Sequence, residues 1–498
     1  MSREGRIVLC LGALYLASRL FGLTRLPLFL DETQHIRWAV DIASGEKLLR
    51  PWNYGKGLSV FLNALVFPWA FDRYLWASRA LTVAFGALSL FAGIAAGRRL
   101  FDGATGLVFG LLCVACPFAL FHDRLALTDP PMAAFAALAL LLTVRLHDDP
   151  RPGPALLLAL ALVAAVLTKA TALLVAVIPL AGLLLLGPIE KRRTRAFVLA
   201  LAASAALLFW PILRFFATTS TVRLGMDRRE ADLATRLGTN LPMALSWLLT
   251  YLTLPLALLA LAGLLLDLRE RPRPALFLSV LVVAPVLAFA AVSTQWYPRY
   301  LVVVIVPALL LAARGLVRLQ ERVPRWAQVL LFVAALVPAL RLDRDILLDP
   351  SRAALPDIDR GQFVLDWPSG YGTDGTLAFV REELRHHPKG LTVVAHVHSR
   401  RTTWLALGLE FAREPRVELR DLDLTQAQNL DLLAAWAHTR PTLLMVSPVG
   451  PARTRPEPLT WAHLGGLVLR SCKPDGALCD EVYRLDPPYE ETGPPPTR

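Results

Sequence analysis

The sequence predicts an α-helical polytopic membrane protein of about eleven transmembrane helices, followed by a small C-terminal α/β domain outside the membrane. Hydrophobic residues make up 55% of the 498 and charged ones only 18%, with mean hydropathy +0.49, a combination rare in soluble chains of this length. The apolar residues come in runs long enough for a hydrocarbon core ~30 Å thick, which takes about 20 helical residues to cross. Beyond residue 342 those runs stop, and short β-rich segments alternate with amphipathic ones.

On the bilayer ruler, spans fall near 7–23, 76–97, 104–120, 130–146, 155–168, 170–187, 196–216, 243–266, 275–292, 297–313 and 327–341, so residues 1–342 form the membrane domain. The run 58–71 is apolar but short, and Pro68 interrupts it. It suits an interfacial helix within the first outer loop, 24–75, better than a crossing. The run Ile7 to Phe21 has no small-residue cleavage site after it, so the first span is expected to be retained as an anchor.

A net charge of +12 would fit nucleic acid, but the basic residues sit in short loops between apolar runs and form no basic domain. They read as topology signals. If 58–71 does not cross, Arg98 and Arg99, the cluster 191–195, Arg269, Arg271 and Arg273, and the cluster 314–325 share one side, which the positive-inside rule makes the cytoplasm. The first loop, the segment 122–130, the turn at Lys169, the loop 217–242, the segment 293–299 and the tail then face the other side of an inner membrane.

The tail, 343–486, carries β-rich runs at 362–365, 391–395, 442–446 and 467–469, with amphipathic helical patterns at 375–387 and 425–438. This alternation predicts a partly parallel sheet. Residues 487–498, rich in Pro and acidic side chains, are expected to be disordered. Cys472 and Cys479 flank Lys-Pro-Asp-Gly, a turn sequence across which the sulfurs can meet as a disulfide; two unpaired thiols are the alternative. Cys113 and Cys116 have redox-motif spacing but lie in a predicted span, where packing is the simpler role.

Charged groups near the apolar phase are costly and usually serve a site or pathway. Asp31 and Glu32 directly follow the first span and its connector. Asp31 either caps the helix that begins there or acts as a base that takes the proton of an attacking hydroxyl, with Glu32 supporting it. His35, one turn on, fits a packed histidine better than a metal ligand. Lys56 lies between Gly55 and Gly57, which would open the backbone to a ligand; a snorkelling lysine is the rival. His122, Asp123, Arg124 and Asp129 crowd one short turn, and Pro130 makes helix capping by Asp129 the simplest alternative. Lys169 and Arg299 interrupt outer turns. Cations so placed suit a phosphate. Trp52, Trp296 and Tyr297 fit stacking and an aromatic belt equally well.

The order of these pieces carries a resemblance: Leu-Asp-Glu-Thr at 30–33 with Ala39 and Gly45, Lys56 before a short apolar helix, Arg79 ahead of the next span, Leu-Thr-Asp-Pro at 127–130, Leu-Thr-Lys-Ala at 167–170, and Tyr-Pro-Arg-Tyr-Leu at 297–301. Over about residues 5–315 the chain resembles the glycosyltransferase C superfamily, in the branch of protein O-mannosyltransferases and the lipid A aminoarabinose transferase. The resemblance implies an inverting membrane glycosyltransferase that passes a sugar from a polyprenyl-phosphate carrier to an extracytoplasmic acceptor, with the bilayer as its other partner and no nucleic acid. It implies Asp31 as catalytic base and Glu32 as its partner, with Lys56, Arg124, Asp129, Lys169, Arg299 and Tyr300 as substrate-binding residues. Gly55 replaces the acid some relatives have before the lysine, which leaves no metal ligand assigned and a divalent metal an open question. Trp367-Pro368-Ser369-Gly370-Tyr371-Gly372 looks like a motif of bacterial relatives of unknown acceptor. A lipid-linked-sugar flippase, or a non-catalytic membrane assembly protein, would use the same charges differently.

Overall fold

The computed structural model describes residues 2–67, 73–218, 232–396, 402–424, 426–447 and 465–485. Positions 68–71 of the short apolar run, residues 219–231 of the loop 217–242, Thr425 and the end 487–498 lie outside them. The chain divides into two compact units. The first comprises Met1–Arg25 and Trp38–Pro356, and the second Leu26–Arg37 and Asp357–Arg498.

In the first unit every predicted span is helical. Among the described residues seven helices qualify by length and apolarity to cross a membrane: Tyr74–Leu100, Asp129–Asp148, Lys191–Ala217, Leu233–Glu270, Pro272–Val292, Pro298–Gln320 and Arg325–Leu348. Gly103–Val114 and Pro117–Asp123, bent by 59° where Pro117 cannot continue the helix, make an eighth if taken together. The remaining expected spans are the helix Arg3–Leu20, which carries four charged residues, and the shorter apolar helices Pro152–Thr168 and Ala170–Leu185. The short run forms a helix over Gly57–Ala64 only.

Polar contacts sort the loops into two ends of the bundle. At one, Glu4 meets Arg98 at 2.6 Å, Arg99 meets Asp148 at 3.3 Å, and Arg314 meets both Asp102 and Asp267 at 2.8 Å. These are the loops expected to share a side. Their arginines are more than topology signals, because Asp267 is fully buried and is held by Arg314 and Arg318. The helices Leu233–Glu270 and Ile305–Gln320 approach until a Cβ on Gly263 would sit 2.0 Å from the Leu311 carbonyl oxygen, the small-residue contact that lets membrane helices close on each other.

At the other end Arg19 donates to the carbonyls of Val114 and Cys113 at 2.6 and 2.9 Å, and Arg79 donates to that of Leu23 at 2.9 Å. The Ala170 amide donates to Gly55 at 2.9 Å. Tyr54, Gly55 and the start of the Tyr74 helix thus lie at the same end, as a non-crossing short helix requires.

The second unit holds a five-stranded sheet of β1 (Leu391–His396), β2 (Val417–Leu422), β3 (Thr442–Val446), β4 (Gly465–Cys472) and β5 (Cys479–Leu485), in the order β2-β1-β3-β5-β4. β1 pairs parallel with β2 and β3, and β5 antiparallel with β3 and β4. One face buries Val394, Leu422, Leu444 and Tyr483 against Leu433 and Ala437 of the helix Ala427–Thr439. The expected strand at 362–365 is instead a wide helical turn, Gly361–Leu365. Its Phe363 and Val364 carbonyls accept from Ser369 Oγ at 3.1 Å, a local partner that removes the need for a strand neighbour.

The segment Leu26–Arg37 belongs to this unit, although the 319 residues from Trp38 to Pro356 separate it from Asp357 in sequence. Phe29 packs on Phe363 with centroids 4.5 Å apart, and the Leu30 amide donates to the Pro368 carbonyl at 3.1 Å.

Candidate functional site

In the membrane unit three turns converge on one charged cluster. Pro130 and Pro131 start the Asp129–Asp148 helix, where a missing amide costs nothing, and this fixes Asp129 in the first turn. Lys169 ends the helix Pro152–Thr168 in extended backbone, and Pro298 opens the 3₁₀ turn Pro298–Val304 that carries Arg299 and Tyr300.

Lys169 Nζ meets Asp129 Oδ1 at 2.5 Å and lies 4.1 Å from the centroid of the Tyr300 ring. The Arg299 guanidinium lies 4.6 Å from the Tyr297 ring and 5.8 Å from that of Tyr300. Asp129, Lys169 and Arg299 are buried while Tyr300 stays half-exposed, so the cluster has an open side at the tyrosine. Asp129 therefore serves an ion pair rather than a cap. Buried charges in such a place are stable only when paired, and the Arg299 guanidinium beside the pair is of a kind suited to a phosphate.

Lys56 is brought next to this cluster by the backbone bond from Ala170 to Gly55. The flanking glycines do not open space for a ligand, as the sequence reading expected. A Cβ on Gly55, whose φ is +65°, would lie 2.7 Å from the Ala170 Cβ, and one on Gly57 would lie 2.2 Å from the Trp52 ring. Close packing of the chain on itself demands them.

An apolar cleft adjoins the cluster in sequence on every side: Met132 lies three residues past Asp129, Thr171 two past Lys169, and Val303 four past Arg299. Its floor includes Leu281, Pro285 and Phe289 of the helix Pro272–Val292.

Arg124 stands apart from the cluster. It donates to the carbonyls of Phe21 and Gly22 at 2.9 and 2.7 Å, where the first helix ends, which accounts for a buried arginine without a ligand. His122 packs between Phe118 and Tyr251; Trp296 is buried, tilted against Trp247 and donating to Asn240 at 3.1 Å, so it is not part of an aromatic belt. One charged group escaped the sequence reading: Arg19, fully buried, covers the Tyr15 ring at 4.1 Å while Tyr15 donates to Asp123. A charged residue near the end of the first span was the available signal.

Asp31 and Glu32 belong to the second unit. Glu32 serves the helix Leu30–Ala43: its Oε2 accepts from the Phe29 amide at 3.1 Å, the reciprocal half of a capping box. Glu32 is fully buried and Asp31 half-buried in the same turn. His35 is buried as well. Among the described residues no three His, Cys, Asp or Glu side chains converge to hold a metal ion. Cys472 and Cys479 are joined with S–S 2.07 Å at the mouth of the β4-β5 hairpin.

The family described as dolichyl-phosphate-mannose-protein mannosyltransferase matches residues 62–215. No functionally curated protein matches the chain. Among solved structures, ArnT from Cupriavidus metallidurans in the apo state superimposes with TM-score 0.61 at 17% identity, covering 97% of this chain and 98% of that one. The same protein bound to undecaprenyl phosphate gives TM-score 0.59 at 18% identity over 97% and 98%. The Archaeoglobus fulgidus oligosaccharyltransferase in complex with zinc and sulfate gives TM-score 0.56 at 14% identity, over 95% of this chain and 72% of that one. The fold expected from the motif order, a helical membrane bundle with a small C-terminal sheet domain, is thereby borne out.

Proposed function

We propose that this chain, with its glycosyltransferase C fold, transfers a monosaccharide from a polyprenyl-phosphate donor to the hydroxyl of an extracytoplasmic acceptor, inverting the anomeric carbon, in an inner membrane. The observation that carries the reading is the buried Asp129–Lys169 pair with Arg299 and Tyr300, set beside an apolar cleft. A lipid phosphate has these two parts, an anion and an apolar chain. The undecaprenyl phosphate bound by the structurally similar ArnT supports the same donor class.

In this mechanism Arg299, with Lys169 and Lys56 near it, binds the donor phosphate and stabilises the charge that develops as the bond from the anomeric carbon to the phosphate oxygen breaks. The acceptor oxygen attacks the opposite face of that carbon, so one displacement inverts it. Asp31 takes the acceptor proton as the new bond forms, and the lipid phosphate leaves with the bonding electrons. Asp129 holds Lys169 in place, and Glu32 holds the helix turn that carries Asp31.

Native mass spectrometry of protein purified in mild detergent tests the donor assignment. Wild type retains a polyprenyl-phosphate species, and Arg299→Met loses it. A protein that carries no prenyl phosphate even when supplied with it contradicts the assignment, and movement of such a lipid across vesicles without sugar transfer would favour a flippase.

A further inference from the structure

The motif 367–372 and the disulfide turn have no part in the chemistry above, yet both lead to Asp31. Lys473 lies inside the turn closed by Cys472 and Cys479, where its amide donates to the Leu478 carbonyl at 2.8 Å. Its side chain is buried, and Nζ donates to the carbonyls of Ser369 and Tyr371 at 2.6 and 2.5 Å. Next to it, Ser471 Oγ donates to the Gly372 carbonyl at 2.8 Å; Gly372 has φ +86°, and a Cβ there would lie 2.9 Å from the Ser471 carbonyl oxygen.

The far side of the same motif holds the acidic segment. The Pro368 carbonyl accepts from the Leu30 amide, the residue before Asp31, and from Thr402 Oγ1 at 2.8 Å. Gly370 passes so close to the segment that a Cβ would lie 2.0 Å from the Leu28 carbonyl oxygen. Bonds to the backbone carbonyls of Pro368, Ser369, Tyr371 and Gly372 therefore run from the disulfide turn to the first turn of the Asp31 helix, and loss of a donor leaves its carbonyl without that partner.

We infer that Lys473, held in the disulfide-closed turn, is a positioning residue for Asp31, acting through the Pro368–Tyr371 backbone. The inference deepens the reading of Asp31 as the acceptor's base and rests on it. A lysine reaches two carbonyls at once because its ammonium has three donors, and the disulfide fixes the short loop from which it reaches. A displacement of about 1 Å in a reacting group can cost about 100-fold in rate, so loss of this brace acts on turnover rather than on donor binding.

The test uses full-length protein in proteoliposomes, comparing wild type with Lys473→Met, Lys473→Arg, the double variant Cys472→Ser with Cys479→Ser, and Asp31→Asn. Lys473→Met and the double serine variant are expected to lower kcat about 10- to 100-fold while KM for a polyprenyl-phosphate sugar stays within about twofold. Lys473→Arg, which keeps two donors, recovers most of the loss. Hydrogen exchange supplies a readout independent of activity: in Lys473→Met the amides of 26–34 exchange faster while those of β1 and β3 do not change. Wild-type kcat in Lys473→Met beside an inactive Asp31→Asn overturns the positioning role, as does unchanged exchange over 26–34. Full activity in Asp31→Asn instead overturns the base assignment, and exchange alone then decides whether the brace exists. A Lys473→Met protein that exchanges faster throughout the sheet is merely unfolding, which also counts against a positioning role.

Discussion

Lys169 and Asp129 meet at 2.5 Å with side chains 11% and 4% exposed, forty residues apart in the chain and at the same end of the helix bundle. Breaking a pair this buried strands a charge, at a cost of about 3–5 kcal/mol. Lys169→Met is therefore expected to lower the melting temperature sharply and abolish transfer. The double variant Asp129→Asn with Lys169→Met regains most of the stability without regaining activity. Thermal scans and turnover on wild type, the single variant and the double variant check this, and recovered activity in the double variant would show that neither charge touches the reaction.

The acidic pair separates into two roles. Glu32→Ala removes the acceptor of the Phe29 amide and should cost about 1 kcal/mol, whereas Glu32→Gln keeps an acceptor oxygen and should be nearly silent. Asp31→Asn leaves the fold intact. Chemical denaturation of the purified variants distinguishes them, and an equal loss from Glu32→Gln and Glu32→Ala would make the Glu32 charge itself the important property.

At the opposite end of the bundle, effects should fall on stability alone. Gly263→Ala places a methyl 2.0 Å from the Leu311 carbonyl oxygen, forcing the helices Leu233–Glu270 and Ile305–Gln320 apart at a cost of about 1–3 kcal/mol. Asp267→Asn leaves Arg314 and Arg318 with a weaker partner. Both should melt earlier with KM unchanged; a raised KM would place this end in donor binding.

Burial pushes the Lys473 ammonium below its usual 10.5, with Asp480 partly opposing the shift. Between the lowered value and 10.5 the unfolded chain binds more protons than the folded one, so stability rises with pH through that window. Lys473→Met removes the rise. Differential scanning calorimetry of both proteins at alkaline pH checks the sign, and a wild-type transition that falls in the window no less than the variant's would refute it.

Much of this was legible in the sequence, for physical reasons that differ by element. The apolar runs and the motif order around Asp31, Asp129, Lys169 and Arg299 carry the bundle and its fold type, because lipid allows few ways to satisfy a backbone. The pairing of Asp129 with Lys169 was hidden, since nothing local distinguishes a helix-first aspartate from a cap. The placement of Leu26–Arg37 with the tail was hidden for a related reason: it rests on Phe29 meeting Phe363 and on the Leu30 amide reaching Pro368, long-range contacts with no periodic trace. Gly55 and Gly57 misled because a glycine marks close approach without saying what approaches. β2 and β5 were missed because their charged residues, Glu418, Arg420, Asp421, Asp480, Glu481 and Arg484, mask the strand pattern.

The measurement closest to the central claim is transfer by the purified chain in proteoliposomes, supplied with a polyprenyl-phosphate monosaccharide and candidate hydroxyl acceptors, with the anomeric configuration of the product read by NMR. The account predicts a glycoside of inverted configuration from wild type and a rate at least about 100-fold lower from Asp31→Asn, the size expected when a general base is lost. Retained configuration, or an Asp31→Asn protein as fast as wild type, would contradict it.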